Sequence, residues 1–293
     1  MSTTPDLHDV HRRRLLIGGA ALCAGLALPG RPLRASAARP IEFGIFPYLP
    51  TAKLLVDHQP LRQYLEETFK RPVALSTAPD FRSFQSRAQN GDFDLIIVGP
   101  GPGWQLHVDH KYPVLAVSQR LIRVFVIVAK GSPFQSPGDL RGKSFAITDP
   151  MTVAAQLAMT ALREHKLQPG VDVRIRREKT PFNVAKAIEM GEVDAASFVS
   201  FVFANLPDNL RDKLRIIHVS APMPGVLFMA RPAPDMPRPD EFQAAMLRFA
   251  NDTEAGRAFV KTLEHDGLIK PDLKALRLLD QFVPEVRRQM TGP

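Results

Sequence analysis

Residues 90–103 read NGDFDLIIVGPGPG, and one hundred positions later residues 190–198 read MGEVDAASF. Both segments follow one order: a helix end, a glycine, an acid, an apolar residue, an aspartate, and a run of strand residues. Glycine ends helices because it enters the left-handed region at no steric cost. An uninterrupted apolar run such as Leu95 to Val98 reads as a strand buried on both faces. Two similar α/β lobes, each starting a buried strand after a glycine-terminated helix, account for the echo. Chance recurrence of a common helix-to-strand turn is the competing reading.

The flanking sequence extends both series. Ile41 to Phe46 alternates into a strand, and Leu61, Tyr64, Leu65 and Phe69 mark one helical face after Pro60. Val73–Leu75 is a short strand, and Asp80 caps a helix that turns Phe81, Phe84 and Ala88 inward. Strands are expected at 114–117, 124–128, 144–148, 171–175 and 193–198. Asp149-Pro150 reads as cap and first residue of one helix, and Thr180-Pro181 as those of another. Asn251 to Glu254 reads as a capping box for a helix through Leu263.

The chain of 293 residues exceeds what one core usually serves. Its 45% hydrophobic and 23% charged content excludes a disordered, coiled-coil or multi-span membrane protein. Of the net charge of +8, the first 37 residues carry +3, and no later segment gathers the rest into a basic stripe. Nucleic acid is therefore not an expected partner. Residues 11–16 read HRRRLL and open an apolar run to Leu28, followed by Ala35-Ser36-Ala37. That order is an export signal over 1–37, of twin-arginine or ordinary secretory type, too short to span a bilayer. The single cysteine, Cys23, falls inside it, so disulfides and cysteine chemistry are excluded from the rest.

The order GIFP, GDFDLIIVGP, VFVIVAKGSPFQSPGDLRGKSFAITDP, AIEMGEVDAASF and SAPMPG, over residues 41 to 285, resembles the phosphonate- and phosphite-binding branch of periplasmic solute-binding proteins of ABC importers. The resemblance implies an α/β, two-lobed periplasmic-binding-protein fold of type II character. Each lobe is then a mixed sheet flanked by helices, and a hinge lets the lobes close on ligand. Lobe one is expected at 41–121 plus 219–293 and lobe two at 122–218. It further implies delivery of a small anionic solute, phosphonate-, phosphite-, sulfonate- or carboxylate-like, to an ABC permease. Sensing through a membrane histidine kinase is the alternative. A monomer, outside the membrane and without cofactor, is expected.

Ligands of open α/β sheets lie beyond the carboxyl ends of strands, at helix N-termini whose free N–H groups favour anions. Two places qualify: Gly99, Pro100 and Gly101 after one strand, and Thr148, Thr152 and Val153 after the other. Gly99 to Gly103 lacks the Lys-Ser/Thr of a phosphate-cradling loop, and its prolines remove donors, so a rigid turn competes with a ligand-facing loop. The family's run of hydroxyls after Asp-Pro is Thr152, Val153, Ala154 here, and its aromatic-Ser before the middle strand is Ile122-Arg123. The expected cleft is therefore more apolar, with Tyr48, Phe182, Ser197, Phe198 and Phe201. Arg123 is the expected anion anchor, by bidentate pairing, against a solvated strand-end arginine. Tyr48 reads equally as cleft wall or core aromatic.

Neither H-E-x-x-H nor G-x-S-x-G occurs. His107 and His110 can share a helix face, but no third ligand stands near them in sequence, so no metal site is expected. With no nucleophile–base set visible, catalysis is not expected.

Overall fold

The computed structural model describes residues 39–291. The expected leader, 1–37, and its twin-arginine signature lie outside the described residues. Eleven strands follow in chain order: β1 Ile41–Ile45, β2 Val73–Ser76, β3 Leu95–Val98, β4 Val114–Ser118, β5 Val124–Ala129, β6 Ser144–Ile147, β7 Arg174–Arg177, β8 Ala195–Val199, β9 Leu214–Val219, β10 Leu227–Ala230 and β11 Leu268–Ile269. They build two mixed sheets flanked by helices, in the orders β11-β4-β10-β3-β1-β2 and β7-β6-β8-β5-β9.

The sheets repeat one plan. Parallel β2-β1-β3 in the first matches parallel β7-β6-β8 in the second, and each run is continued by an antiparallel strand, β10 or β5. The echoed turns are equivalent bond for bond. Asp92 N donates to Arg87 O at 3.0 Å and Glu192 N to Ala187 O at 2.8 Å, with Gly91 at φ +80° and Gly191 at φ +72°. These are Schellman closures, which require the left-handed residue that glycine supplies. Beyond each turn the aspartate binds back to the first strand. Asp94 Oδ2 accepts Glu42 N at 3.0 Å, and Asp194 Oδ2 accepts Ser144 N at 2.8 Å.

The chain passes between the sheets twice, from β4 to β5 and from β9 to β10. The two passages meet at Ile122 and Met223, whose N–H and C=O groups exchange hydrogen bonds of 2.8 Å in both directions. Val219 pairs with Phe125, so the second sheet runs one residue past the expected limit at 218. One apolar core runs through the first sheet and on to Val184 and Phe198. A smaller one gathers Phe145, Leu140 and Leu162 under the second sheet.

Four local expectations are corrected. Gly99-Pro100-Gly101-Pro102-Gly103 is neither turn nor loop: it is the start of the helix Pro100–His110. The N–H groups its prolines lack belong to the first turn, where no intrahelical acceptor exists. The helix expected at Asp149-Pro150 begins later, as Val153–Glu164, because Asp149 Oδ1 closes a turn onto Met151 N at 2.8 Å and Thr152 provides the cap, accepting from Ala155 N at 3.2 Å. The expected capping box at Asn251 is replaced by Thr253, which accepts from Gly256 N at 2.9 Å, since the preceding helix Pro239–Asp252 continues through Asn251. The strand expected at 171–175 starts at Arg174, because Val171 and Asp172 turn back onto the carbonyl of Gln168.

Candidate functional site

A cavity of about 70 Å³ lies between the two sheets, at the carboxyl ends of β1, β3, β6 and β8. The first-sheet side supplies Phe46, Tyr48, Phe81, Phe84, Gln85, Val98, Gly99, Pro100, Pro102 and Val226. The second supplies Thr148, Thr152, Val153, Ala154, Pro181, Ser197, Phe198, Val199, Phe201 and Val202, with Ile122 from the crossing strand. None of these residues is ionisable except Tyr48.

Strand ends and helix starts place the groups. Tyr48 follows β1 and stacks on Phe46, ring centroids 4.6 Å apart, while meeting Phe201 edge to face at 5.7 Å. Burial, followed by the negative charge of Asp57, pushes the Tyr48 phenol far above its usual range, so it stays protonated. Ser197, in the middle of β8, is 5% exposed, and its Oγ has no hydrogen-bond partner among the described residues. Thr152 Oγ1 is occupied, donating to Asp149 O at 2.7 Å and capping the helix that follows. That cap serves only Ala155, so the amides of Val153 and Ala154 remain the donors that every helix start leaves over. Behind the wall lie His58 and His265. Burial holds them neutral, lowered to about 4 and about 3, and in His265 the neighbouring His58 adds to the effect.

The sequence profile described as "ABC transporter, phosphonate, periplasmic substrate-binding protein" matches residues 43–276. The chain belongs to this family.

Solved structures of similar fold span nearly all of it. PhnD1 of Prochlorococcus marinus, in complex with methylphosphonate, superposes with a TM-score of 0.76 at 12% identity, covering 86% of this chain and 99% of the other. XAC2383 of Xanthomonas citri bound to chloride gives 0.69 at 21%, covering 85% and 97%. The periplasmic aliphatic sulphonate binding protein SsuA of Escherichia coli gives 0.60 at 15%, covering 87% and 94%. No curated protein matches the sequence significantly. The family serves ABC transporters as periplasmic substrate-binding proteins rather than as enzymes. Among the described residues no helix is long and apolar enough to cross a membrane.

Within this member of the family, Tyr48, Gly99, Pro100, Thr148, Thr152, Val153, Ser197 and Phe198 come together on the cavity wall. Three expected residues do not. Arg123 is exposed, and its Nη1 donates to Ser220 O at 3.2 Å. Strand alternation decides this: Ile122 and Val124 turn inward, and the residue between them turns out. Phe182 is 44% exposed, one residue past the Pro181 that does line the wall. Gly101 is buried behind the wall, where an added Cβ would meet Phe282 at 3.3 Å and Val153 at 3.6 Å.

Gln85 was not anticipated, although its signal was present. It stands on the inward stripe Phe81, Phe84, Ala88 of the helix Phe81–Gln89, as its one polar member. Phe46, Phe81, Phe84 and Val226 join the wall with no chemical signature beyond apolarity.

Proposed function

We propose that the protein captures a compact solute in the cavity between its two lobes and delivers it to an ABC permease. The solute has an apolar body and low net charge. The observation that carries this is the lining: it holds no lysine, arginine, histidine, aspartate or glutamate. An ion buried without a counter-charge costs several kcal/mol. Apolar surface buried in the same place gains about 25 cal/mol per Å². The polar groups present include the side-chain amide of Gln85, the hydroxyls of Tyr48, Thr148 and Ser197, and the amides that open the helix Val153–Glu164. They suit one small head, neutral or singly charged. Of the solutes expected from the sequence, a sulfonate- or carboxylate-like monoanion conflicts with this wall less than a phosphonate dianion, and a neutral solute conflicts least of all.

The two walls belong to different sheets, and the chain crosses between them at the paired Ile122 and Met223. A solute touching both adds its contacts to the closed state alone, so binding shifts the lobes toward closure. Export through the 1–37 leader and a monomeric state complete this reading. Native mass spectrometry of the secreted protein tests it. A retained small molecule, lost on unfolding, is expected; a protein empty from its own periplasm and silent in a thermal-shift screen of small monoanions and neutral solutes opposes it. A solute at a hundred times its Kd adds about 2.7 kcal/mol to stability.

A further inference from the structure

Gln85 is 1% exposed and lines the cavity beside Phe81 and Phe84. Its amide nitrogen has two acceptors, Pro102 O at 3.1 Å and Gln105 Oε1 at 2.7 Å. A carbonyl only accepts, so the nitrogen of Gln85, not its oxygen, must face Pro102. The far end of the network dictates the same orientation. Arg287 grips both carboxylate oxygens of Asp109, at 2.9 Å and 2.5 Å. Asp109 Oδ2 in turn accepts Gln105 Nε2 at 2.8 Å. Gln105 Oε1 is thereby left to accept, and it takes Gln85 Nε2 together with Gln89 Nε2 at 3.1 Å. The polarity runs one way, from a surface ion pair through two amides to the cavity wall. At its end Gln85 Oε1 is buried and accepts no hydrogen bond among the described residues. A buried acceptor left unpaired is costly, and one whose orientation is held from behind cannot turn away.

We propose that Gln85 sets the specificity of this cavity, and that the solute donates a hydrogen bond to Gln85 Oε1. A neutral amide, sulfonamide or hydroxyl compound meets that demand. A fully ionised oxyanion, with acceptors only, does not. Ser197 Oγ, unpartnered on the opposite sheet, both donates and accepts and so discriminates little. The inference rests on the cavity being the solute site.

Three probes of five heavy atoms separate donor from charge: methanesulfonamide, neutral with an N–H; dimethyl sulfone, neutral without a donor; and methanesulfonate, an anion without a donor. Titration calorimetry at pH 7 is expected to find the sulfonamide bound about tenfold tighter than the sulfone, as a site with an unpaired polar group rejects the analogue that cannot pair it. In Gln85→Met the two are expected within about twofold. Equal or reversed affinities in the wild type overturn the proposal, as does a preference that survives in the variant. If the variant fails to fold, the wild-type ratio decides alone. Failure of all three probes also overturns it. Native mass spectrometry then separates the claims: a retained natural solute leaves the cavity reading standing, whereas an empty protein removes both.

Discussion

Tyr48 and Phe201 meet edge to face with ring centroids 5.7 Å apart, one ring following the first strand of the first sheet and the other the third parallel strand of the second. The contact closes the cavity where the two sheets approach. Phe201 also stands 6.4 Å from the ring of His265, so the closing contact is backed by an aromatic layer. Such pairs contribute about 0.5–1.5 kcal/mol beyond their buried area, enough to bias closure without locking it.

Filling the cavity separates binding from folding. Ala154 is 7% exposed on the wall, at the second residue of its helix. Ala154→Phe is expected to abolish retention of solute in native mass spectrometry while costing about 1–3 kcal/mol in a urea melt. Solute retained at wild-type stoichiometry would place it elsewhere.

The two equivalent aspartates differ in their partners. Asp94 holds Arg39 through two bonds, at 2.7 Å and 2.9 Å, and Arg231 at 2.9 Å, whereas the Asp194 carboxylate binds, among the described residues, only Ser144. Asp94→Asn is expected to cost about 3 kcal/mol, because a side chain that is 1% exposed loses the charge that strengthens its bonds from Arg39, Arg231 and Glu42 N. Asp194→Asn keeps an acceptor for Ser144 N and is expected to cost about 1 kcal/mol. Equal costs by denaturant titration would contradict the ion-pair account. Burial alone would raise the Asp94 carboxyl, but the bonds from Arg39, Glu42 N and Arg231 outweigh it and hold it below the usual range. Its contribution is therefore present above the unfolded value of 3.8 and lost as pH falls through the lower folded value.

Acid acts earlier through the buried histidines. Their unfolded value is 6.5, and the folded values are about 4 for His58 and about 3 for His265. Between those limits the unfolded chain binds protons that the folded chain excludes. Stability is thus level above pH 7 and falls as pH drops from 6.5 toward 4, by up to about 2.7 kcal/mol per pH unit for the pair. His265→Leu is expected to halve the slope over this window in urea melts at pH 7, 6 and 5. An unchanged slope would mean that these rings take up protons in the folded state.

Glycine substitutions at the echoed turns carry a graded cost. Both residues sit at positive φ, but a Cβ on Gly191 meets nothing within 4 Å, while one on Gly91 meets Arg231 Cδ at 3.2 Å. Gly191→Ala is expected to cost about 1 kcal/mol from backbone strain alone. Gly91→Ala should cost more, since it also presses on the Arg231–Asp94 pair. Thermal melts showing the reverse order would refute the assignment.

These contrasts also show what was readable from residues alone. Gly91, Gly191, Asp94 and Asp194 announce themselves because a Schellman closure and a strand-tying carboxylate demand particular residue types at fixed spacing. The alternating and apolar runs located β1 to β6 and β8 to within a few residues, whereas β7 starts three residues later than expected and the two-residue β11 has no run long enough to read. The cavity was half legible. Thr148, Thr152, Val153 and Ser197 follow from the rule that ligands gather beyond strand ends. Arg123 did not follow, because which side of a hinge strand faces inward depends on the Ile122–Met223 pairing, a contact between segments about a hundred residues apart. The helix at Pro100 was masked by composition, since two prolines and three glycines in five residues look like a loop until the unpaired first turn is considered. Gln85 draws its meaning from Asp109 and Arg287, which no local window contains.

The most direct test of the central claim is a crystal structure of the protein carrying its co-purified solute. The account expects density for one compact molecule enclosed in the cavity that the Tyr48–Phe201 contact closes, within hydrogen-bond reach of Ser197 Oγ and clear of Arg123. Density for the solute outside that cavity, or anchored by a charged side chain, would contradict it.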